Sequence, residues 1–146
     1  MKLLNRFADP VYCLMRLIVG LMFACHGAQK LLGWFAKPGQ TPPTLDLTMT
    51  IGGWIELGGG LLIAIGLLTR PAAFLASGMM AVAYFTAHAS GGFFPIVNHG
   101  ELAVAYCWLF FFMFFYGAGR LSVDAIFSRR AVPDNSVAKP SYNPSL

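Results

Sequence analysis

Ile51-Gly52-Gly53-Trp54-Ile55-Glu56-Leu57-Gly58-Gly59-Gly60-Leu61-Leu62-Ile63-Ala64-Ile65-Gly66-Leu67-Leu68-Thr69-Arg70-Pro71 decides the fold. The run from Thr48 to Thr69 is apolar apart from one carboxylate, Glu56. It supplies the roughly 20 helical residues that a hydrocarbon core about 30 Å thick requires. An acid at that depth costs free energy unless it is paired, protonated or facing a wet cavity, so it marks a functional site by default. At about 100° per residue, Gly52, Glu56, Gly59, Ile63 and Gly66 share one face, and glycines there let neighbouring helices come close. Glu56 is therefore expected to point into a bundle, not into lipid. The plainer alternative is a protonated glutamate that only hydrogen-bonds between helices.

Composition agrees with a membrane protein. The 146 residues suffice for one domain, and at 57% hydrophobic and 11% charged the chain lies far from the roughly 25% charge of soluble folds. The net charge of +4 comes from basic residues scattered at span ends. That is the pattern of topology signals, and with no basic patch nucleic acid is excluded as a partner. Cys13, Cys25 and Cys107 all fall in apolar runs and form no C-x-x-C, so neither a dithiol centre nor a disulfide framework is indicated.

Working outward, four spans are predicted at about 11–35, 48–69, 71–89 and 100–120, after a cytoplasmic lead over 1–10 and before a flexible cytoplasmic tail over 128–146. Arg16 and the length of the first apolar stretch exclude a signal peptide. Prolines and glycines break the chain between Ala36 and Asp46 and again between Ala89 and Asn98. Thr69-Arg70-Pro71 leaves room only for a tight turn, with Pro71 at the first position of the next helix. Arg120 and Asp124, four apart, can pair after the last span. The fold class is all-α, an integral membrane four-helix bundle. Lys2, Arg6, Arg16, Arg70, Arg120, Arg129, Arg130 and Lys139 lie on one side, and Lys30 and Lys37 on the other, which puts both termini in the cytoplasm. With that orientation His26, Lys30, Glu56, His88 and Glu101 all fall in the outer half of the bilayer or at its outer surface. Cys25 and Cys107 share that depth, which leaves a contact between them open.

The pattern Arg16, His26-Gly27-x-x-Lys30-Leu31, Glu56-x-Gly58-Gly59-Gly60, Gly66-Leu67-x-Thr69-Arg70-x-Ala72, His88, Glu101 and Gly117-x-Gly119-Arg120-x-x-x-Asp124 resembles the DoxX family over about Val11 to Phe127. The resemblance implies a small four-helix protein of the cell (inner) membrane associated with redox systems. A related member is a subunit of a thiosulfate:quinone oxidoreductase, and others are linked to oxidative stress or to quinone and catechol detoxification.

The chemistry to expect is a quinone-interacting oxidoreductase subunit. Quinone reduction needs protons delivered within an apolar pocket. His26 and His88 would bond the carbonyls, Glu56 and Glu101 would relay protons, and Lys30 would stabilise a reduced anion. Phe110 to Phe115 either stack the ring or face lipid. Arg16, Arg70, Arg120 and Asp124 are structural polar residues in this scheme. No nucleotide, haem-attachment or iron–sulfur motif is present, so electrons would come from a soluble or membrane redox partner, and the chain would not be an enzyme by itself. Small residues on the helix faces also allow a homo-oligomer. The alternatives are a non-catalytic anchor or assembly factor with the polar cluster as an interhelical lock, a metal or haem site at the histidines and glutamates, and a small transporter. Lys30 beside His26 argues against a cation, and the lack of an internal repeat argues against a transporter.

Overall fold

The structure, a computed structural model, describes residues 2–35 and 45–130. Except for Leu45 and Asp46, the expected loop after Ala36 lies outside these residues, as does the expected tail beyond Arg130. Every element among them is helical, in the order α1 (Lys2–Leu32), α2 (Leu47–Ile65), α3 (Thr69–Gly91), α4 (Pro95–Asn98), α5 (Glu101–Tyr116) and α6 (Val123–Arg130). Leu4–Leu32, α2 and α3 are each long and apolar enough to cross a bilayer, whereas α5, at 16 residues, extends only about 24 Å. The polar lead before Val11 is helical too, and α1 runs on through Pro10.

Helices α1 and α2 pack backbone against backbone. A Cβ on Gly20 would lie 2.6 Å from the Ala64 nitrogen and 2.7 Å from the Gly60 oxygen, and one on Gly60 would lie 2.6 Å from the Ala24 nitrogen. Gly27 meets Gly53 and Leu57 in the same way. These approaches correct the predicted glycine face. The contact face of α2 carries Gly53, Gly60 and Ala64 and shares only Glu56 and Ile63 with the expected arc. A Cβ on Gly52 or Gly59 would have nothing within 4 Å, and Gly66 has left the helix to cap it.

Gly66 (φ 72°) closes α2, with its N–H on the Ile63 carbonyl and the Leu67 N–H on the Leu62 carbonyl. This double bond pattern satisfies the last carbonyls of a helix and requires the left-handed conformation that glycine adopts freely. The turn is therefore Gly66–Leu68, three residues earlier than predicted, and Pro71 stands third in α3, still within the first turn where a missing N–H costs little.

Helix α3 lies along α5. Ala73, Ala76, Ser77 and Met80 pack against Ala103, Tyr106, Phe110 and Met113, all buried, and the Ser77 hydroxyl donates to the Cys107 carbonyl at 2.9 Å. Small residues and interhelical hydrogen bonds of this kind hold helices together where lipid removes the hydrophobic drive. The outer surface is apolar, with Leu21, Trp54, Phe74, Phe85 and Trp108 among its exposed side chains, as contact with lipid requires. Phe110 is wholly buried while Phe111, Phe112 and Phe115 face outward.

At the end bearing the described N-terminus, the irregular segment after α5 is satisfied by α1. The Tyr12 hydroxyl donates to the Gly117 carbonyl at 2.5 Å. The Arg16 guanidinium, 2% exposed, donates to Ile63 and Ala64 at the end of α2 (2.5 and 3.1 Å) and to Leu121 at 2.9 Å. Buried irregular backbone must find such partners inside the protein. The expected Arg120–Asp124 pair does not form: Asp124 accepts from the Leu68 and Thr69 N–H groups at 2.8 and 3.0 Å, capping α3, while the Arg120 N–H donates to Asp9. The orphan amides of a helix start attract a carboxylate more strongly than an exposed cation four residues back. Arg70 is exposed, with its guanidinium near Gly117.

Candidate functional site

At the opposite end, the helices open around a cavity of about 280 Å³. Two departures from regular α-helix frame it. Residues Ile55–Gly59 of α2 and Tyr84–His88 of α3 form single π-helical turns, one holding Glu56 and the other ending on His88. Such turns insert a residue into the helical repeat, re-aim the side chains around them and recur at functional sites.

His26 and Lys30 stand four apart on α1, hence on one face, and the close glycine contact at Gly27 holds that face against the π-turn of α2. The Lys30 ammonium donates to Glu56 Oε1 at 2.6 Å. Glu56 is 3% exposed, and its Oε2 is buried with no partner among the described residues. Across the cavity, His88 Nδ1 lies 3.1 Å from the Asn98 carbonyl. A carbonyl can only accept, so Nδ1 carries the hydrogen, and in the neutral ring Nε2 is an acceptor. Phe23, Met80, Ala83, Ala87 and Leu102 supply apolar walls. Under them the Phe23 ring packs against Phe110 and Tyr106 at centroid distances of 4.6 and 5.4 Å.

The structure thus brings His26, Lys30, Glu56 and His88 to one cavity and leaves Glu101 out of it. Glu101 is exposed at the start of α5, in a shallow depression with His99 and Ala105. It is the first residue of that helix, a position where carboxylates are favoured. Phe110 supports Tyr106 from below and does not line the cavity. Cys25 is exposed, Cys107 partly buried, and all three cysteines are free thiols. Among the described residues no group of three or more His, Cys, Asp or Glu is close enough to hold a metal ion.

Three residues at this end were not singled out from sequence. Tyr106 lines the cavity, 4% exposed, with a buried hydroxyl that has no partner among the described residues. His26 meets its ring edge-on at 6.2 Å. His99 lines both the cavity and the outer depression, in a left-handed conformation (φ 57°) that ends α4. Asn98 organises the segment between α3 and α5: its amide donates to the Gly92 carbonyl at 2.7 Å and to the Tyr84 hydroxyl, which itself donates to Phe93, while its oxygen accepts from the Gly100 N–H at 2.8 Å. The spacing Ala103, Tyr106, Phe110, Met113 marks the buried face of α5, and Tyr106 is its one hydroxyl.

The DoxX family model matches residues 11–89, which takes in α1 from Val11 on, all of α2 and all but the last two residues of α3, and ends one residue after His88. A protein of Haemophilus influenzae described only as uncharacterized is 37% identical over 134 residues, spanning 89% of this chain and 100% of its own length. No solved structure matches the chain. With the family pattern covering more than half the sequence and a relative aligned along its whole length, the chain belongs to the DoxX family of membrane proteins.

Proposed function

We propose that this protein is the membrane subunit of a redox system and that its cavity takes the head group of a quinone. The observation that carries the proposal is the convergence of His26, Lys30, Glu56 and His88 from three helices on one largely apolar cavity. Its volume, about 280 Å³, lies just below the range of roughly 300–1,000 Å³ that holds drug-sized ligands, and a few polar groups in apolar walls are what such sites present. Orphaned polar atoms on Glu56 and Tyr106 fit a polar occupant.

A quinone bound there would accept two electrons and two protons and leave as the quinol. The electrons come from a soluble or membrane redox partner. His26 and Glu56 hold and pass protons at the cavity wall, Lys30 fixes the Glu56 carboxylate, and the Asn98 carbonyl fixes the tautomer of His88. His99, which lines both the cavity and the outer depression, connects it with Glu101 at the mouth. The excess of basic residues predicted on one side supports an orientation with both termini in the cytoplasm and the cavity toward the outer face of the inner membrane. Gly52 and Gly78, where a Cβ would meet nothing within 4 Å, leave room for a partner helix or a second copy.

The experiment is extraction of the protein purified in mild detergent, without added quinone, followed by quantitation of quinones. Near-stoichiometric quinone is expected, falling at least fivefold in His26→Ala and Glu56→Gln at unchanged yield. Absence of quinone, or equal amounts in the variants, refutes the proposal. One observation favours a second reading, an interhelical lock in a non-catalytic anchor: the Lys30–Glu56 pair joins α1 to α2. That reading prevails if the two variants lose folded protein and nothing else.

A further inference from the structure

The hydrogen-bonding inventory of the cavity is lopsided. Glu56 Oε1 is taken by Lys30, and Oε2 is buried with no partner among the described residues. A carboxylate ion-paired with an ammonium can only accept hydrogen bonds, so whatever meets Oε2 must be a donor. His88 gives its Nδ1 hydrogen to Asn98, which leaves the neutral ring an acceptor at Nε2. The Tyr106 hydroxyl, buried and unpartnered among the described residues, can turn either way. A quinone offers only carbonyl oxygens. Lys30 or His26 can donate to one of them, but Oε2 then remains a bare buried acceptor, which is the costly arrangement, and a carbonyl brought near it adds repulsion. A dihydroxy ring of the same shape offers two donors.

We infer that the cavity selects the reduced, dihydroxy form of an aromatic ligand, with Glu56 Oε2 accepting from one hydroxyl and Tyr106 Oη as a second contact. The inference rests on the quinone reading above and adds the preferred oxidation state and a residue that neither the sequence nor the family match singles out. A tenfold preference for the quinol raises the midpoint potential of the bound two-electron couple by about 30 mV, because the reduced form is the one stabilised.

The test is anaerobic equilibrium dialysis of the full chain in lipid nanodiscs against a benzoquinone with a one-isoprene tail and, separately, its quinol held reduced with excess dithionite. The quinol is expected to bind at least tenfold more tightly. Glu56→Gln, whose amide both donates and accepts, should bring the ratio to within threefold of unity. Tyr106→Phe should weaken the quinol at least threefold with the protein still monodisperse, and this variant decides the matter if Glu56→Gln does not fold. Equal affinities in wild type, or tighter binding of the quinone, overturn this inference and leave the proposed function standing. A quinol preference unchanged in both variants overturns the assignment to Glu56 and Tyr106. If neither form binds, the proposed function falls and the inference with it.

Discussion

Gly20→Ala tests whether backbone contact between α1 and α2 holds the bundle together. The added Cβ would sit 2.6 Å from the Ala64 nitrogen, 2.7 Å from the Gly60 oxygen and 2.9 Å from the Ala64 Cα. Each of these is about 0.5 to 0.8 Å short of ordinary contact at 3.4 Å, and all three are backbone atoms that no rotamer change can move. The helices must part, and overpacking of this kind costs about 3 kcal/mol at the upper end of the usual range. Alanine returns about 1 kcal/mol through its better helix propensity, which leaves a net loss of about 2 kcal/mol. Gly52→Ala and Gly78→Ala make the same chemical change within regular helix where a Cβ meets nothing within 4 Å, so they should be neutral or stabilise by up to about 1 kcal/mol. The assay is reversible unfolding by sodium dodecyl sulfate in mixed micelles, followed by tryptophan fluorescence. Gly20→Ala as stable as wild type, or Gly52→Ala as damaging as Gly20→Ala, refutes the packing argument.

The same unfolding assay reads three further changes. Asp124→Ala removes the carboxylate that caps the Leu68 and Thr69 amides and should cost about 1–2 kcal/mol, with Asp124→Asn recovering part of it; an unchanged midpoint in the alanine variant would show that the cap contributes nothing. Arg16→Lys keeps the charge but cannot fork between the end of α2 and Leu121, so one carbonyl group is left bare at a cost of about 1–3 kcal/mol, and a lysine that matches wild-type stability would contradict that geometry. Lys30→Met strands the Glu56 charge in the interior, whereas the double variant Lys30→Met/Glu56→Gln strands no charge. The cycle should show a coupling of about 1–2 kcal/mol, modest because the lysine is one-third exposed, and zero coupling would remove the pair from any account of the site.

The first three spans are legible because the bilayer imposes one length and one polarity on them, and Glu56 stands out because no other charge lies within its run. Lys30 and His26 follow from the depth they share with Glu56 once the charge asymmetry orients the spans. What the sequence concealed was of two kinds. Which glycines pack cannot be told from a helical wheel when glycines flank the acid on both sides: Gly52 and Gly53 differ by one position, and only the approach of α1 selects Gly53. Helix α5 is apolar all round, so its inward face carries no periodic signal, and Tyr106 reads as one more aromatic until its hydroxyl is seen buried without a partner. Depth alone draws Glu101 into the cluster, and depth says nothing of azimuth. Arg120 and Asp124 were paired by local spacing, and the open amides at the start of α3 outcompete the local partner.

The two ends of the bundle are built differently, one closed by side-chain contacts and the other around a cavity, and that contrast bears on where chemistry can occur. Toward the described N-terminus, Tyr12, Arg16 and Asp124 each reach across the fold to backbone groups that would otherwise be bare, and Gly66 closes its helix with two bonds. These contacts tie α1, α2, α3 and the segment after α5 into one body. At the other end, two π-turns frame a cavity, and a carboxylate oxygen and a phenol of residues that line it lie buried without partners among the described residues. Arg16 Nε and Thr69 Oγ1 at the stapled end are likewise unpartnered among those residues, but neither residue lines that cavity. Buried unsatisfied groups lower stability, so a chain can keep them only where the remainder of the fold is secured. The stapled end supplies that security, and the unpartnered atoms of Glu56 and Tyr106 are then open to a ligand that satisfies them.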